Sequence, residues 1–499
     1  MALISTRGGQ AVTASQAILR GIAPDGGLYV PQTFPAFSLE QIGQMKEMTY
    51  QQRAVEVMCA FLDDYTREEI EEAVAAAYGA QFDDPAIAPF KRVSRTFSVL
   101  ELHHGPTLAF KDMALQMLPH LMRMAMRKNG EDHEVFILVA TSGDTGKAAL
   151  EGFCDVPGTR CAVFYPRDGV SAAQKLQMVT QQGKNVHVLA VDGNFDDAQT
   201  GVKEIFADEA FKEQLRAQGR VLSSANSINF GRLLPQVVYY FSAYADMLRT
   251  GEICLGDKVN FCVPTGNFGN ILAAYYARCC GLPVGKLICA SNKNNVLADF
   301  LSSGYYDVKE RKFSRSISPS MDILISSNLE RLLFELCGRD AAQVTEWMRQ
   351  LREGKFYDIG SQNLMLLQRV FYGGWATDED TRAEISRTLR QHRYLVDPHT
   401  AVAIFVERGY RFLTGDVAPC VMVSTANPYK FGRDVLIAVK GMEAAEGKDD
   451  FACCALLAQE TGTKIPAQIA QLPCLPVLHT TQCPREKMRE ALLDELSKA

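Results

Sequence analysis

Six short apolar runs, at residues 135–140, 161–165, 186–191, 259–263, 287–290 and 421–423, set the frame into which this chain can fold. They are strand-length and too continuous for a strand with one wet face. Each ends in a loop holding Gly, Ser or Asn, usually with a helix-like stretch behind it. Strands that are apolar on both faces must be covered on both faces, which is the habit of parallel sheets flanked by helices. The repetition predicts an α/β protein with mainly parallel sheets. At 499 residues the chain is too long for one ordinary core, so the runs are expected to divide between two α/β domains.

The first ninety-odd residues read instead as helical. Thr66 before Arg67-Glu68-Glu69 looks like a cap followed by an acidic first turn. One turn cluster, Ala23-Pro24-Asp25-Gly26-Gly27, leads into the short apolar run Leu28-Tyr29-Val30. The expected division is a helical N-terminal domain over 1–92, a large domain from 93–130 with 250–445, a small mobile domain over 131–249, and a C-terminal extension over 446–499. Residues 351–393 read as polar and helical, interrupted at Tyr372-Gly373-Gly374-Trp375, and the last twenty residues as one closing amphipathic helix.

Charge narrows the function. With 52 Lys+Arg against 58 Asp+Glu the net charge is −6, and no basic block occurs, which argues against a nucleic-acid or anionic-membrane partner. No apolar run approaches the ~18 residues of a membrane span, and the first residues lack a charged-then-apolar leader pattern. A cytoplasmic protein acting on a small molecule is expected, with its 14 cysteines reduced and serving mainly as apolar fillers. The pairs Cys279-Cys280 and Cys453-Cys454 lack zinc-site spacing, so no metal is expected.

Lys111 lies in His104-Gly105-Pro106-Thr107-Leu108-Ala109-Phe110-Lys111-Asp112. A helix starting near Ala109 would put Asp112, Gln116, Arg123 and Arg127 on one polar stripe, and Lys111 on a face with Leu115, Leu118 and Met122. Burial and the positive end of a helix both disfavour an ammonium, so the free amine becomes available to a carbonyl cofactor. On periodicity alone, snorkelling at a helix edge is the commoner reading of such a lysine.

Four loops share the strand–loop–helix setting or its chemistry. Gly266-Asn267-Phe268-Gly269-Asn270 offers backbone N–H groups at a helix start, suited to a phosphate, although neither nucleotide fingerprint is met. Thr141-Ser142-Gly143-Asp144-Thr145 suits a carboxylate; a plain capping turn reads the same way. Asn226, Ser227, Asn229 and Arg232 bring amides, a hydroxyl and a guanidinium within reach of a second phosphate. Ser424-Thr425 is a hydroxyl pair ending a buried run.

Together these stretches resemble the threonine synthase family of pyridoxal-phosphate enzymes, over nearly the whole length. The residues that carry the resemblance are 23–29, His104 to Asp112, the 141–146 and 266–270 loops, and the stretches 318–323 and 397–402. The resemblance implies the type II fold of these enzymes and pyridoxal 5'-phosphate held as an imine on Lys111. It further implies the phosphate of the cofactor on Gly266, Asn267, Phe268, Gly269 and Asn270, and its ring nitrogen on Thr425. The implied reaction takes O-phospho-L-homoserine to L-threonine, in a monomer or homodimer. The substrate carboxylate would meet Thr141, Ser142, Gly143, Asp144 and Thr145. Its phosphate would meet Asn226, Ser227, Asn229 and Arg232, with Lys147, Lys175 and Lys293 as other basic residues able to serve. A relative releasing 2-oxobutanoate is the competing implication.

Overall fold

The computed structural model describes residues 1–141, 143–167 and 170–497. All six apolar runs are strands: Glu134–Ala140, Thr159–Pro166, Val186–Asp192, Val259–Pro264, Val284–Ser291 and Cys420–Ser424. They fall into two sheets, three in each. The small sheet orders Gln482–Pro484, Val186–Asp192, Thr159–Pro166, Glu134–Ala140 and Arg220–Ser223, all parallel. The large sheet orders Phe371–Trp375, Val284–Ser291, Val259–Pro264, Cys420–Ser424, Ser98–Glu101 and Phe90–Arg92. Its pairings are parallel until the last, which is antiparallel.

The N-terminal region is mostly helical, as its caps dictate. Thr66 accepts from the Glu69 N–H while Glu69 accepts from the Thr66 N–H, a reciprocal box opening Arg67–Ala77. The turn cluster at 23–27 folds Tyr29–Pro31 back against Leu3–Ser5 as a two-stranded antiparallel ribbon. The N-terminal helices share one apolar core with the 20-residue helix Phe230–Arg249 and with residues from both the small and the large sheet. A second cluster packs Pro398–Thr414 and Gly432–Lys440 on the large sheet, and a third packs Phe195–Ala207 on the small one.

Two expectations need correction. Tyr372-Gly373-Gly374-Trp375 is an edge strand, not a break in a helix, because the residues behind it press so close. A Cβ on Gly373 would stand 2.9 Å from the backbone of Ala298, and one on Gly374 would stand 2.6 Å from Val406. The last twenty residues are not a single helix: Gln482–Pro484 adds the edge strand of the small sheet before Met488–Ser497 packs Leu492 and Leu496 against it. No helix among the described residues is long and apolar enough to cross a membrane.

Candidate active site

Lys111 stands where two distant segments are laced together. The Phe110 N–H donates to the Thr425 carbonyl at 2.8 Å, and the Asn427 N–H to the Leu108 carbonyl at 3.0 Å. Ala109 and Ala426 form an antiparallel bridge between them. Asp112 is fully buried and accepts from both the Thr107 N–H, 2.8 Å, and the Thr107 hydroxyl, 2.6 Å. Gly105 is required here, since a Cβ would meet Asp112 at 2.5 Å. Thr107 in turn gives its carbonyl to Lys430 Nζ at 2.7 Å.

The helix expected from Ala109 onward is in fact two. Asp112–Leu115 stops, and Leu118–Lys128 restarts with Pro119 in its first turn. Proline lacks the N–H that a continuing helix needs and disfavours helical geometry in the residue before it. Lys111 becomes the cap residue of the first piece, and the expected polar stripe is not solvated, because Asp112 and Gln116 are both buried.

The Lys111 side chain is 11 % exposed, with Nζ donating to Ser320 Oγ at 3.3 Å and lying 3.7 Å from Asp144 Oδ2. Burial lowers its pKa. The Lys430 and Arg232 charges push the same way, against the pull of Asp144. Asp144 also lies 3.0 Å from Lys430 through Oδ1. Burial would raise its pKa, but Lys430 and Lys111 outweigh that and hold it well below the carboxylate range. Behind Ser320, its N–H donates to His399 Nε2 at 3.1 Å, and His399 Nδ1 faces Asp397 Oδ1 at 2.7 Å.

In the 266–270 loop, Phe268 is left-handed with φ 62°, a strained turn that opens Gly269–Cys279. That helix start leaves its first-turn N–H groups without intrahelical partners. Asn270 spends its Oδ1 on the hydroxyls of Tyr239 and Tyr240, both at 2.6 Å, and its buried Nδ2 has no partner. Thr425 is buried and its hydroxyl makes no hydrogen bond among the described residues.

Thr141 is spent on its own loop: Oγ1 accepts from the N–H groups of Gly143 and Gly146 at 3.0 Å each. Gly143 has φ 151°, so the turn needs glycine there. Asp144 starts the helix Asp144–Phe153 and Thr145 is half-buried, while Ser142 lies outside the described residues.

Arg232 is 4 % exposed and belongs to the first turn of Phe230–Arg249. Its Nη1 donates to the Ala225 carbonyl at 2.7 Å, while its Nε has no partner and no carboxylate pairs with it among the described residues. Burial pushes its pKa down to about 10. Asn229 is committed elsewhere, capping Gly231 and donating to the Ile18 carbonyl at 2.9 Å. Asn226 is exposed, and Ser227 receives a contact from Asn328 at 3.4 Å. Of the other basic residues considered, Lys147 pairs with Glu151 and Lys293 with Asp378, each at 2.8 Å, and Lys175 is half-buried.

Residues 2–78 match the family described as threonine synthase N terminus, and residues 88–406 the family described as pyridoxal-phosphate dependent enzyme. A threonine synthase of Pseudomonas aeruginosa is 40 % identical over 433 residues, 86 % of this chain and 89 % of that one. The chain belongs to the threonine synthase family. A pyridoxal-phosphate-bound threonine synthase structure from Brucella melitensis superposes with TM-score 0.89 at 38 % identity, covering 100 % of both chains. The human protein called threonine synthase-like 1 is 39 % identical over 96 % of this chain, which spans only 63 % of that longer protein.

The fold is the type II fold of this family and the cofactor is pyridoxal 5'-phosphate. The residues fit it: a buried lysine of lowered pKa and, among the described residues, an unpaired buried amide at Asn270 and an unengaged hydroxyl at Thr425 are what an aldehyde bearing a phosphate and a ring nitrogen needs.

Sequence reasoning missed Ser320, His399, Asp397 and Lys430 as site residues, although the stretches 318–323 and 397–402 hold the first three. It also missed the gathering of Glu101, His103 and His104, whose possible ligand atoms lie within 4.8 Å of one another. Glu101 there bonds His104 at 2.8 Å and Lys91 at 2.7 Å through Oε2, and Tyr394 through Oε1, so both oxygens already have partners. A cleft of about 180 Å³ lies between Ser171 and Gln174 on one side and Pro319, Lys430 and Arg433 on the other.

Proposed function

We propose that this protein converts O-phospho-L-homoserine and water into L-threonine and inorganic phosphate. The observation that carries the reading is Arg232: a buried guanidinium with, among the described residues, a free Nε and no carboxylate partner, and with a charge felt at Lys111. An unpaired buried cation costs several kcal/mol unless an anion joins it, and a phosphate ester supplies one.

In this reading the bound cofactor makes the substrate's Cα and Cβ protons acidic. Lys111 would hold the cofactor through its carbonyl. As a neutral amine Lys111 takes the proton from the substrate Cα, and as an ammonium it later returns protons. The backbone of Gly266, Asn267, Phe268, Gly269 and Asn270 holds the cofactor phosphate, and Thr425 meets the ring nitrogen. A hydroxyl there carries no charge and does not force that nitrogen to be protonated. Gly143, Asp144 and Thr145, with Ser142, receive the substrate carboxylate on a turn that Thr141 shapes. Arg232 grips the leaving phosphate with Ser227 and Asn226, while Asn229 fixes the helix on which Arg232 rides.

Closure of the small sheet and its helices over the large one excludes water until it is needed. Asp144 on the small side already meets Lys111 and Lys430 on the large side. The protein is taken to work in the cytoplasm, as a monomer or homodimer. Incubation with O-phospho-L-homoserine and cofactor should release phosphate and threonine one for one. Phosphate with 2-oxobutanoate in place of threonine would overturn this reading in favour of a lyase of the same fold.

A further inference from the structure

One group next to Lys111 has no part in the scheme above. Ser320 Oγ accepts from Lys111 Nζ at 3.3 Å and donates to Asp144 Oδ2 at 3.3 Å. A hydroxyl both accepts and donates, so it partners the lysine as ammonium and, by turning its hydrogen, as free amine. Asp144 only accepts, and at 3.7 Å it rewards the charged form alone.

The placement of Ser320 is over-determined. Its N–H donates to His399 Nε2 at 3.1 Å, which puts the ring proton of neutral His399 on Nδ1, where Asp397 Oδ1 accepts at 2.7 Å. Asp397 is fully buried and also accepts from the N–H of His399, 2.8 Å, and from the Thr400 hydroxyl. On the other side, the Ser320 carbonyl lies 2.6 Å from where a Cβ on Gly266 would stand. The turn Pro319–Met321 is thus wedged between the 266–270 loop and the lysine.

We propose that Ser320 is a positioning residue for the Lys111 amine, holding it in line through its proton transfers, and that the Asp397–His399 pair sets the aim of Ser320. The role in turnover rests on the function proposed above. The hold on the amine does not, because it acts on any carbonyl that Lys111 attacks.

Three variants test it, each judged by kcat and KM, by the rate at which cofactor-free protein captures pyridoxal phosphate, and by thermal midpoint. Ser320→Ala should lower kcat roughly 10- to 100-fold, the scale of a displaced reacting group, with little change in KM. It should also slow cofactor capture while leaving the final spectrum and thermal midpoint near wild type. His399→Leu removes the acceptor for the Ser320 N–H and should act in the same direction. His399→Gln restores an acceptor at the Nε2 position and should recover most of the loss. Wild-type kcat and capture rate in Ser320→Ala would overturn the proposal. His399→Gln no better than a folded His399→Leu would overturn the part given to His399. If His399→Leu does not fold, His399→Gln behaving as Ser320→Ala does so instead. If the wild-type protein makes no threonine, the proposed function fails, and the capture rates still judge Ser320.

Discussion

Lys430 Nζ and Asp144 Oδ1 lie 3.0 Å apart across the join between the large sheet's helices and the first helix after Glu134–Ala140. Both side chains are nearly inaccessible, at 1 % and 6 % exposure. Among the described residues, Asp144 is therefore the one anion placed against two buried amines, Lys430 and Lys111.

Removing that anion should be costly. Asp144→Asn leaves Lys430 buried without its charge partner, and breaking such a pair costs about 3–5 kcal/mol. Denaturant unfolding of the cofactor-free protein should show the loss. A loss under ~1 kcal/mol, the scale of an exposed pair, would mean that water reaches this contact.

Arg232→Lys tests the phosphate grip. A charge-assisted contact in a closed site is worth on the order of 2–4 kcal/mol in the transition state, so catalytic efficiency should fall roughly 10- to 1000-fold. Cofactor affinity and spectrum should not change, because the 266–270 loop is separate. Wild-type efficiency would place the substrate phosphate elsewhere, and Lys147 and Lys293 are poorer alternatives because each already has a carboxylate at 2.8 Å.

How far the sequence reached follows from what is local. The six buried strands announce themselves by apolar continuity, and Lys111 by the motif around it. Phe371–Trp375 did not, because its two glycines answer to Ala298 and Val406 from other elements. Gln482–Pro484 is a strand only because Val186–Asp192 offers it an edge some 290 residues away. In the site, Ser320, His399 and Lys430 meet Lys111 or its neighbours across separations such as 209 and 323 residues, and no local pattern marks such meetings. Asn229 shows the converse: an amide of the right type whose bonds go to structure.

Thr425→Asp tests the contact assigned to the cofactor ring. A carboxylate there favours a protonated ring nitrogen and a stronger electron sink. With substrate bound, absorbance should shift to longer wavelength and 2-oxobutanoate should rise at the expense of threonine. An unchanged substrate-bound spectrum would show that residue 425 does not face the ring.

The Glu101–His104 pair should give stability a defined pH dependence. Burial alone would raise Glu101, but His104 and its other partners bring it from 4.5 down to about 2. Its contribution, on the order of 3 kcal/mol, is present above pH 4.5 and lost as pH falls toward 2. Burial alone would lower His104, but its bonds to Glu101 and Asp83 raise it. Its contribution is complete below pH 6.5 and lost as pH rises through the folded value. His104→Gln should therefore cost more stability at pH 6 than at pH 9, read by denaturant unfolding at both; equal losses would show that His104 is not charged in the folded protein.

The central assignment is that Lys111 carries the cofactor. Borohydride reduction of the pyridoxal-phosphate-loaded protein, followed by proteolysis and mass mapping, reads this directly. The pyridoxyl group should be found on Lys111, in near one-to-one yield with protein. Its recovery on any other lysine, Lys430 being the nearest rival within the site, would contradict the account.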